Sequence, residues 1–291
     1  MGEIGRFQEV TRNRGWSTEM LDNVAVKNRV YGLIELDVTN AREYIRSYRE
    51  RTGETLSFTG WFIKCVGKAV SEDKQLNAFR KGRNRFVVFD DVDVSIVVER
   101  EVAGERLPVP YVIRKANQKS FRQIHDEIRA AQKQEINKPG ALGNENMPWF
   151  ARAFQVLPGF LRKIGWWKFR RDPFLKKKLM GTVGVTAVGM FGEFGGWPVN
   201  IGFHSLKFAL GGVSRRQILV DGKPATREYL SVTLMFDHDV IDGAPAARFT
   251  ARLAQLVQEG HGPQSNIGAH AGSISHSPAT SRPLRLLQYS L

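Results

Sequence analysis

A histidine and an aspartate four residues apart, His238 and Asp242, are the pair in this chain best placed to move a proton. A neutral imidazole can take a proton from a thiol or hydroxyl near neutral pH, and a nearby carboxylate can fix its orientation. Leu230, Val232, Leu234 and Phe236 alternate before the pair, as on one face of a strand. Ala246, Phe249, Leu253 and Leu256 recur after it at helical spacing, with Pro245 in the first turn. The histidine therefore belongs at the mouth of a strand and the aspartate at a helix start. The plainer reading is that Asp242 only caps the helix and His238 is a polar loop residue. On spacing by itself the plainer reading is preferred, because such pairs are common.

Thr186 is a second candidate. It ends the apolar run Val183–Val185 before a glycine-rich loop, Gly189 to Gly196, and a hydroxyl there can donate to a developing oxyanion. On the residues alone the plain alternative, a β-branched residue chosen for the strand, is preferred. The loop lacks both common nucleotide-binding glycine patterns. His125 falls in a charge-rich helical pattern and is expected to be solvated. His261, His270 and His276 lie in a low-complexity tail, where solvation is preferred to metal binding. The single cysteine, Cys65, shares a helical stripe with Phe58, Phe62 and Ala69, so it reads as a buried thiol. No metal is expected.

The elements that must position these residues follow from pattern. Tyr31–Val38 reads as a strand, and Asn40 as the cap of a helix to about Arg51, with Glu43 at capping-box spacing. A helix spans Ser57–Ser71. Phe86–Phe89 and Val92–Val98 read as a hairpin about Asp90-Asp91. Leu107–Ile113 is a strand that Pro108 and Pro110 assign to an edge or bulge. A helix runs from Ser120 to about Lys133. Gly181–Thr186, Ser205–Val213 and Arg216–Val220 are strands, with Asp221-Gly222 turning into Thr226–Phe236. The last helix ends near Glu259-Gly260. Strands and helices do not alternate regularly, so the class is α+β.

The 291 residues, 42% hydrophobic, can bury one large core, and no apolar run reaches the length of a membrane span. No signal-peptide pattern opens the chain, and the expected compartment is the cytoplasm. The net charge of +14 suits a phosphate-bearing ligand, nucleic acid or an anionic membrane surface. Residues 137–180 interrupt the rhythm. Between Trp149 and Leu179, aromatic residues interleave with Arg162, Lys163, Lys168, Arg170, Arg171 and Lys176–Lys178. This block reads as a packed cap over a site entrance with its lysines solvated, as a membrane-surface element, or as a nucleic-acid patch. The first is preferred, and no nucleic-acid partner is expected. The expected organisation is a catalytic unit over residues 1–260 that contains this insert, followed by a disordered tail, 261–291.

The run from His238 to Gly243, continuing Ala246-Ala247-Arg248-Phe249, resembles the H-x-x-x-D-G motif of the acyltransferase component of 2-oxo acid dehydrogenase complexes. Chloramphenicol acetyltransferase shares that fold and motif. Gly32–Thr39, Leu76-Asn77-Ala78, Leu107–Arg114 with Lys119-Ser120, and Gly181–Gly192 resemble further segments of the family in the family's order, across most of residues 12–258. The resemblance implies a coenzyme A-dependent acyltransferase fold, with a mixed sheet flanked by helices. It implies His238 as the base that deprotonates a thiol of coenzyme A or dihydrolipoamide. It implies Thr186 as oxyanion donor, Asp242 as a brace paired with an N-terminal arginine, and Gly243 for a tight turn. Arg14 is assigned as that arginine by its distance from Asp37, with Arg12 beside it. It also implies a homotrimer with sites shared between subunits.

This chain departs from the family pattern at several points. Asp239 stands where complex-forming members carry a basic residue, and Val199–His204 replaces an Asn-Pro-Pro segment. The 147–180 block is longer than the family's linker, and a polar tail replaces a hydrophobic C-terminal anchor. No lipoyl or subunit-binding domain precedes the motif in this sequence. Acyl transfer from coenzyme A to a thiol, hydroxyl or amine is the expected function, with dihydrolipoamide an open acceptor. The alternative is a non-catalytic scaffold or membrane-surface binding protein of the same fold.

Overall fold

A computed structural model describes residues 19, 22–24, 28–102, 105–133, 157–189, 196–199 and 201–260. Its strands are β1 (Arg29–Asp37), β2 (Ala78–Arg80), β3 (Phe86–Val88), β4 (Val94–Val102), β5 (Glu105–Ile113), β6 (Val183–Ala187), β7 (Leu206–Val220) and β8 (Lys223–Asp237). Its helices are α1 (Thr39–Thr52), α2 (Phe58–Glu72), α3 (Phe121–Lys133), α4 (Gly159–Arg171), α5 (Pro173–Met180) and α6 (Gly243–Gln258). Six strands form one mixed sheet in the order β1-β8-β7-β6-β4-β5, and β2 and β3 form a separate ribbon. β6 runs parallel to both its neighbours, and the other pairings are antiparallel.

One face of the sheet carries the core. Ile96, Val185, Phe208, Leu210, Val232, Leu234 and Phe236 meet Trp61, Phe62, Cys65 and Val66 of α2 and Phe249, Leu253 and Leu256 of α6. Burial on this scale, at about 25 cal/mol per Å² of apolar surface, is the main force holding helices to sheet. Ser57 caps α2 by accepting from Gly60 N. The sheet's second face is covered near its middle by the chain around 196–199. There Trp197 Nε1 donates to Ile34 O at 2.8 Å, and a Cβ at Gly211 would sit 2.2 Å from Gly196 O. Both faces of β8 are consequently buried from Leu230 to Phe236. The alternation of that strand thus separates an apolar row from a buried row of mixed character, Ser231, Thr233 and Met235, rather than core from solvent.

Four sequence expectations change. Phe86–Val88 pairs with Ala78–Arg80, not with Val94–Val102. Asn77 Nδ2 donates to Phe89 O and Asp91 O, so Asp90-Asp91 carries the chain from the ribbon into the main sheet instead of closing a hairpin. Asn40 does not cap α1. The helix starts two residues earlier than that cap implies, at Thr39, where Asp37 Oδ1 accepts from Thr39 N and Oγ1, and Asn40 Nδ2 donates to Gln258 O. The two strands expected over 205–220 are one, with a register shift between Leu210 and Val213. His125 is 2% exposed. Its Nδ1 accepts from Ser57 N and its Nε2 meets Glu54 Oε1, because α3 lays it against the start of α2. Cys65 is buried as expected, and burial pushes its thiol pKa up. No described helix is long and apolar enough to cross a membrane.

Candidate active site

β8 delivers the chain to its exit at Asp237, and a tight turn returns it into α6. The Asp237 carbonyl accepts from Val240 N and Ile241 N, both at 2.9 Å, and His238 N donates to Asn28 O at 2.8 Å. Ile241 is buried while the His238 side chain is exposed. The backbone is therefore held on two sides and the imidazole is presented outward. Asp242 occupies the cap position of α6 but makes no side-chain capping bond, and its carboxylate lies exposed. The simple capping role is absent. Gly243 opens α6 with no left-handed backbone, and a Cβ there would meet nothing within 4 Å. Within one chain, then, no tight turn requires this glycine, because the helix has already begun.

Several groups that support the loop were not identified from sequence. Asp239 Oδ1 accepts from Asn28 Nδ2 at 2.7 Å, and its Oδ2 accepts from Arg80 Nη1 at 2.9 Å. Asn28 has φ of 54°, a left-handed conformation that asparagine tolerates better than most residues. One carboxylate thus ties the histidine loop to the start of β1 and to the β2–β3 ribbon. Beneath it, Arg29 pairs with Asp237 at 3.1 Å and donates to the carbonyls of His204 and Gly202. Burial raises the Asp237 pKa above the ordinary carboxylate value, and the Arg29 charge opposes that rise. His204 is buried, with its Nε2 2.9 Å from Met180 O, and burial lowers its pKa to about 3, so it is neutral. Burial also lowers the pKa of Lys207 to about 8 while its Nζ donates to Ile201 O. Arg29 opposite Asp237 is a register relation between β1 and β8, which one strand's pattern cannot show.

Helix α5 of the insert packs on the β2–β3 ribbon that Arg80 joins to this loop. Arg114 fastens α5 to the sheet edge, donating to Lys177 O at 2.8 Å and Lys178 O at 2.6 Å. Phe174 packs edge-on to Phe89, Lys176 lies over the Phe79 ring and Lys177 over Phe89. Lys176 is close enough for its charge to act on Asp237. Lys176 and Lys177 are partly buried on aromatic rings rather than solvated, and residues 134–156 of the insert lie outside the described residues.

Thr186 and His238 do not meet in one chain. Thr186 pairs with Ala209, and Ala209 with Thr233, five positions before His238. At standard strand dimensions that is roughly 15 Å along the sheet and about 10 Å across it. Arg12 and Arg14 lie outside the described residues, so their relation to Asp242 is not seen.

The family model for the catalytic domain of 2-oxoacid dehydrogenases acyltransferase matches residues 10–146 and 177–262. The chain belongs to this family. Its curated relatives include the lipoamide acyltransferase component of the branched-chain alpha-keto acid dehydrogenase complex of Bacillus subtilis, 25% identical over 231 residues. That match covers 78% of this chain and 46% of the relative, so the chain spans about half the length of the proteins it resembles. Among solved structures, a dihydrolipoamide acetyltransferase of Listeria monocytogenes, described as probable, superposes with TM-score 0.61 at 20% identity, covering 88% of this chain and 95% of that one. The dihydrolipoamide acetyltransferase of Azotobacter vinelandii, whose catalytic mechanism has been studied through a serine, a histidine and an asparagine, superposes with TM-score 0.61 at 18% identity. It covers 89% of this chain and 93% of its own. The fold is that of the acyltransferase catalytic cores. The family match leaves out residues 147–176, the stretch that holds α4 and the start of α5.

Proposed function

We propose that this protein transfers an acyl group between coenzyme A and an acceptor thiol, hydroxyl or amine, with His238 as general base. The observation that carries this reading is the presentation of His238: an outward imidazole on a backbone pinned by Asn28 O and the Asp237 carbonyl. The spacing of the other groups supports it. In the Azotobacter enzyme the histidine follows the serine by 52 positions and precedes the asparagine by four. Thr186, His238 and Asp242 stand at the same intervals here.

Neutral His238 takes the proton from the attacking thiol, and the thiolate adds to the thioester carbonyl. The oxyanion of the tetrahedral intermediate accepts from the Thr186 hydroxyl. Collapse expels the other thiolate, which takes the proton back from the imidazolium. Because Thr186 is remote from His238 in its own chain, a second copy supplies it, which favours the homotrimer with sites between subunits. Asp242, with Arg14 or Arg12, serves as brace rather than proton relay. Dihydrolipoamide is the first acceptor to try, given the relatives' names.

The test is an acyl-CoA screen across chain lengths, with dihydrolipoamide and simple amines and alcohols as acceptors. Thiol release by the wild type, lost in His238→Ala with the circular dichroism spectrum unchanged, is the expected result. Equal turnover in the variant would sink the mechanism, and no turnover with any donor would favour the non-catalytic scaffold.

A further inference from the structure

Helix α4 has two apolar faces, and the fold uses one. Trp166 and Phe169 point inward and are buried, each packed on Phe203, while Trp166 Nε1 and Arg162 both bond Glu19 Oε1. The opposite face carries Phe160, Ile164 and Trp167, at positions i, i+4 and i+7, which are 67%, 62% and 51% exposed. At about 100° per residue these three side chains fall within roughly 60° of one another, and Arg171 falls inside the same stripe. Arg171 lies over the Trp167 ring at 4.4 Å, leaving its charge at the edge of the stripe. Lys163 and Arg170 flank the stripe on one side and Lys168 on the other, and all three are exposed.

A helix with one face anchored and the other an apolar stripe between two basic rails has the chemistry of an in-plane membrane helix. The charge selects the lipid. Residues 157–180 hold eight Lys or Arg and one acidic residue, Asp172. Asp172 is already engaged, accepting from Phe174 N and Leu175 N as the cap of α5. A second copy of this surface would bring like charges together, which argues against self-association. Nucleic acid suits the cations but not Phe160 and Ile164, since an aliphatic side chain offers no stacking platform.

We propose that α4 docks this protein on anionic lipid surfaces, with Phe160, Ile164 and Trp167 entering the headgroup boundary and Lys163, Lys168 and Arg170 meeting lipid phosphates. The insert rests on the ribbon that Arg80 joins to the histidine loop, so docking sets the candidate site beside the membrane. The docking itself does not depend on the acyl-transfer reading.

Vesicle co-sedimentation tests it, using phosphatidylglycerol–phosphatidylcholine vesicles against phosphatidylcholine alone at physiological salt. The wild type is expected to bind the anionic vesicles at least about tenfold better than the neutral ones. Because the whole chain is cationic, Lys223→Glu, on the remote β7–β8 turn, serves as the control and should retain most binding. Phe160→Ser with Ile164→Ser and Trp167→Ser should lose about tenfold or more, as should the triple charge reversal of Lys163, Lys168 and Arg170. These side chains are exposed, so the variants should fold, with circular dichroism as the check. Equal binding by both triple variants and wild type would overturn the proposal. So would loss of oligomer mass in the serine variant by light scattering, or an equal affinity of wild type for single-stranded RNA that the same residues control.

Discussion

His238 and Asp239 are neighbours with opposite tasks. The histidine side chain is exposed, as the proposed base must be, while the aspartate is engaged by Asn28 and Arg80. Removing the base should lower turnover by about 10²–10⁴-fold, the usual contribution of a positioned proton acceptor. Removing the clamp should act through geometry. Asp239→Ala releases two partners from the loop, and we expect turnover to fall by about tenfold to a hundredfold with the Michaelis constant for acyl-CoA little changed. Steady-state kinetics separate the cases, and an unaltered turnover number would remove Asp239 from the site's support. Glu228 sets a different residue-scale expectation. Its side chain is nearly buried yet bonded by Arg42, Arg46 and Arg215. Burial pushes its pKa up, but the hydrogen bonds from Arg215 and Arg46 outweigh it and hold it below the usual value. A depressed carboxylate pKa stabilises the fold at pH above the unfolded pKa, about 4.3, and that stability is lost as pH falls through the folded value. The gap in melting temperature between wild type and Glu228→Gln should therefore be widest near neutral pH and close on acidification. A gap independent of pH would show that the cluster is not acting through charge.

At the scale of elements, the join between the insert and the sheet depends on a glycine. Gly181 follows α5 with φ of 75° and ψ of −165°, and a Cβ there would sit 2.5 Å from Asp93 O. That same carbonyl accepts from Thr182 N and Val183 N, so it cannot retreat without freeing the start of β6. Gly181→Ala should cost more than about 2 kcal/mol, combining a disfavoured backbone with a backbone clash. Chemical denaturation measures it, and a cost below about 0.5 kcal/mol, the range of an ordinary surface change, would contradict this account. The element pattern was largely legible because apolar periods of two and about 3.6 survive in α2, α3, α6 and β8. The errors fell where a partner distant in sequence decides. Phe86–Val88 looks like half of a local hairpin, but Asn77 draws it to Ala78–Arg80. His125 looks solvated among charges, until α3 lays it on the start of α2.

For the whole molecule, the separation of Thr186 from His238 makes assembly a condition of the proposed chemistry. A trimer is expected by light scattering, and a monomer that turns over acyl-CoA would refute the shared site. Co-expressing His238→Ala with Thr186→Ala chains gives a sharper test. Random assembly leaves about a quarter of the interfaces with both groups intact, so about a quarter of wild-type turnover should return. A site formed within one chain would recover none.

The sequence by itself determined the α+β class, the course of the chain into and out of the His238 turn, and the residue types available for acyl transfer. These follow from local periodicity and from chemistry carried within a few residues. Tertiary structure alone decided that β1 lies against β8 and sets Arg29 opposite Asp237, and that Asp239 is tied to Arg80. It also decided that one face of α4 is anchored while the other stays open. Strand register and helix docking depend on contacts between residues far apart in the chain, and no short-range pattern encodes them.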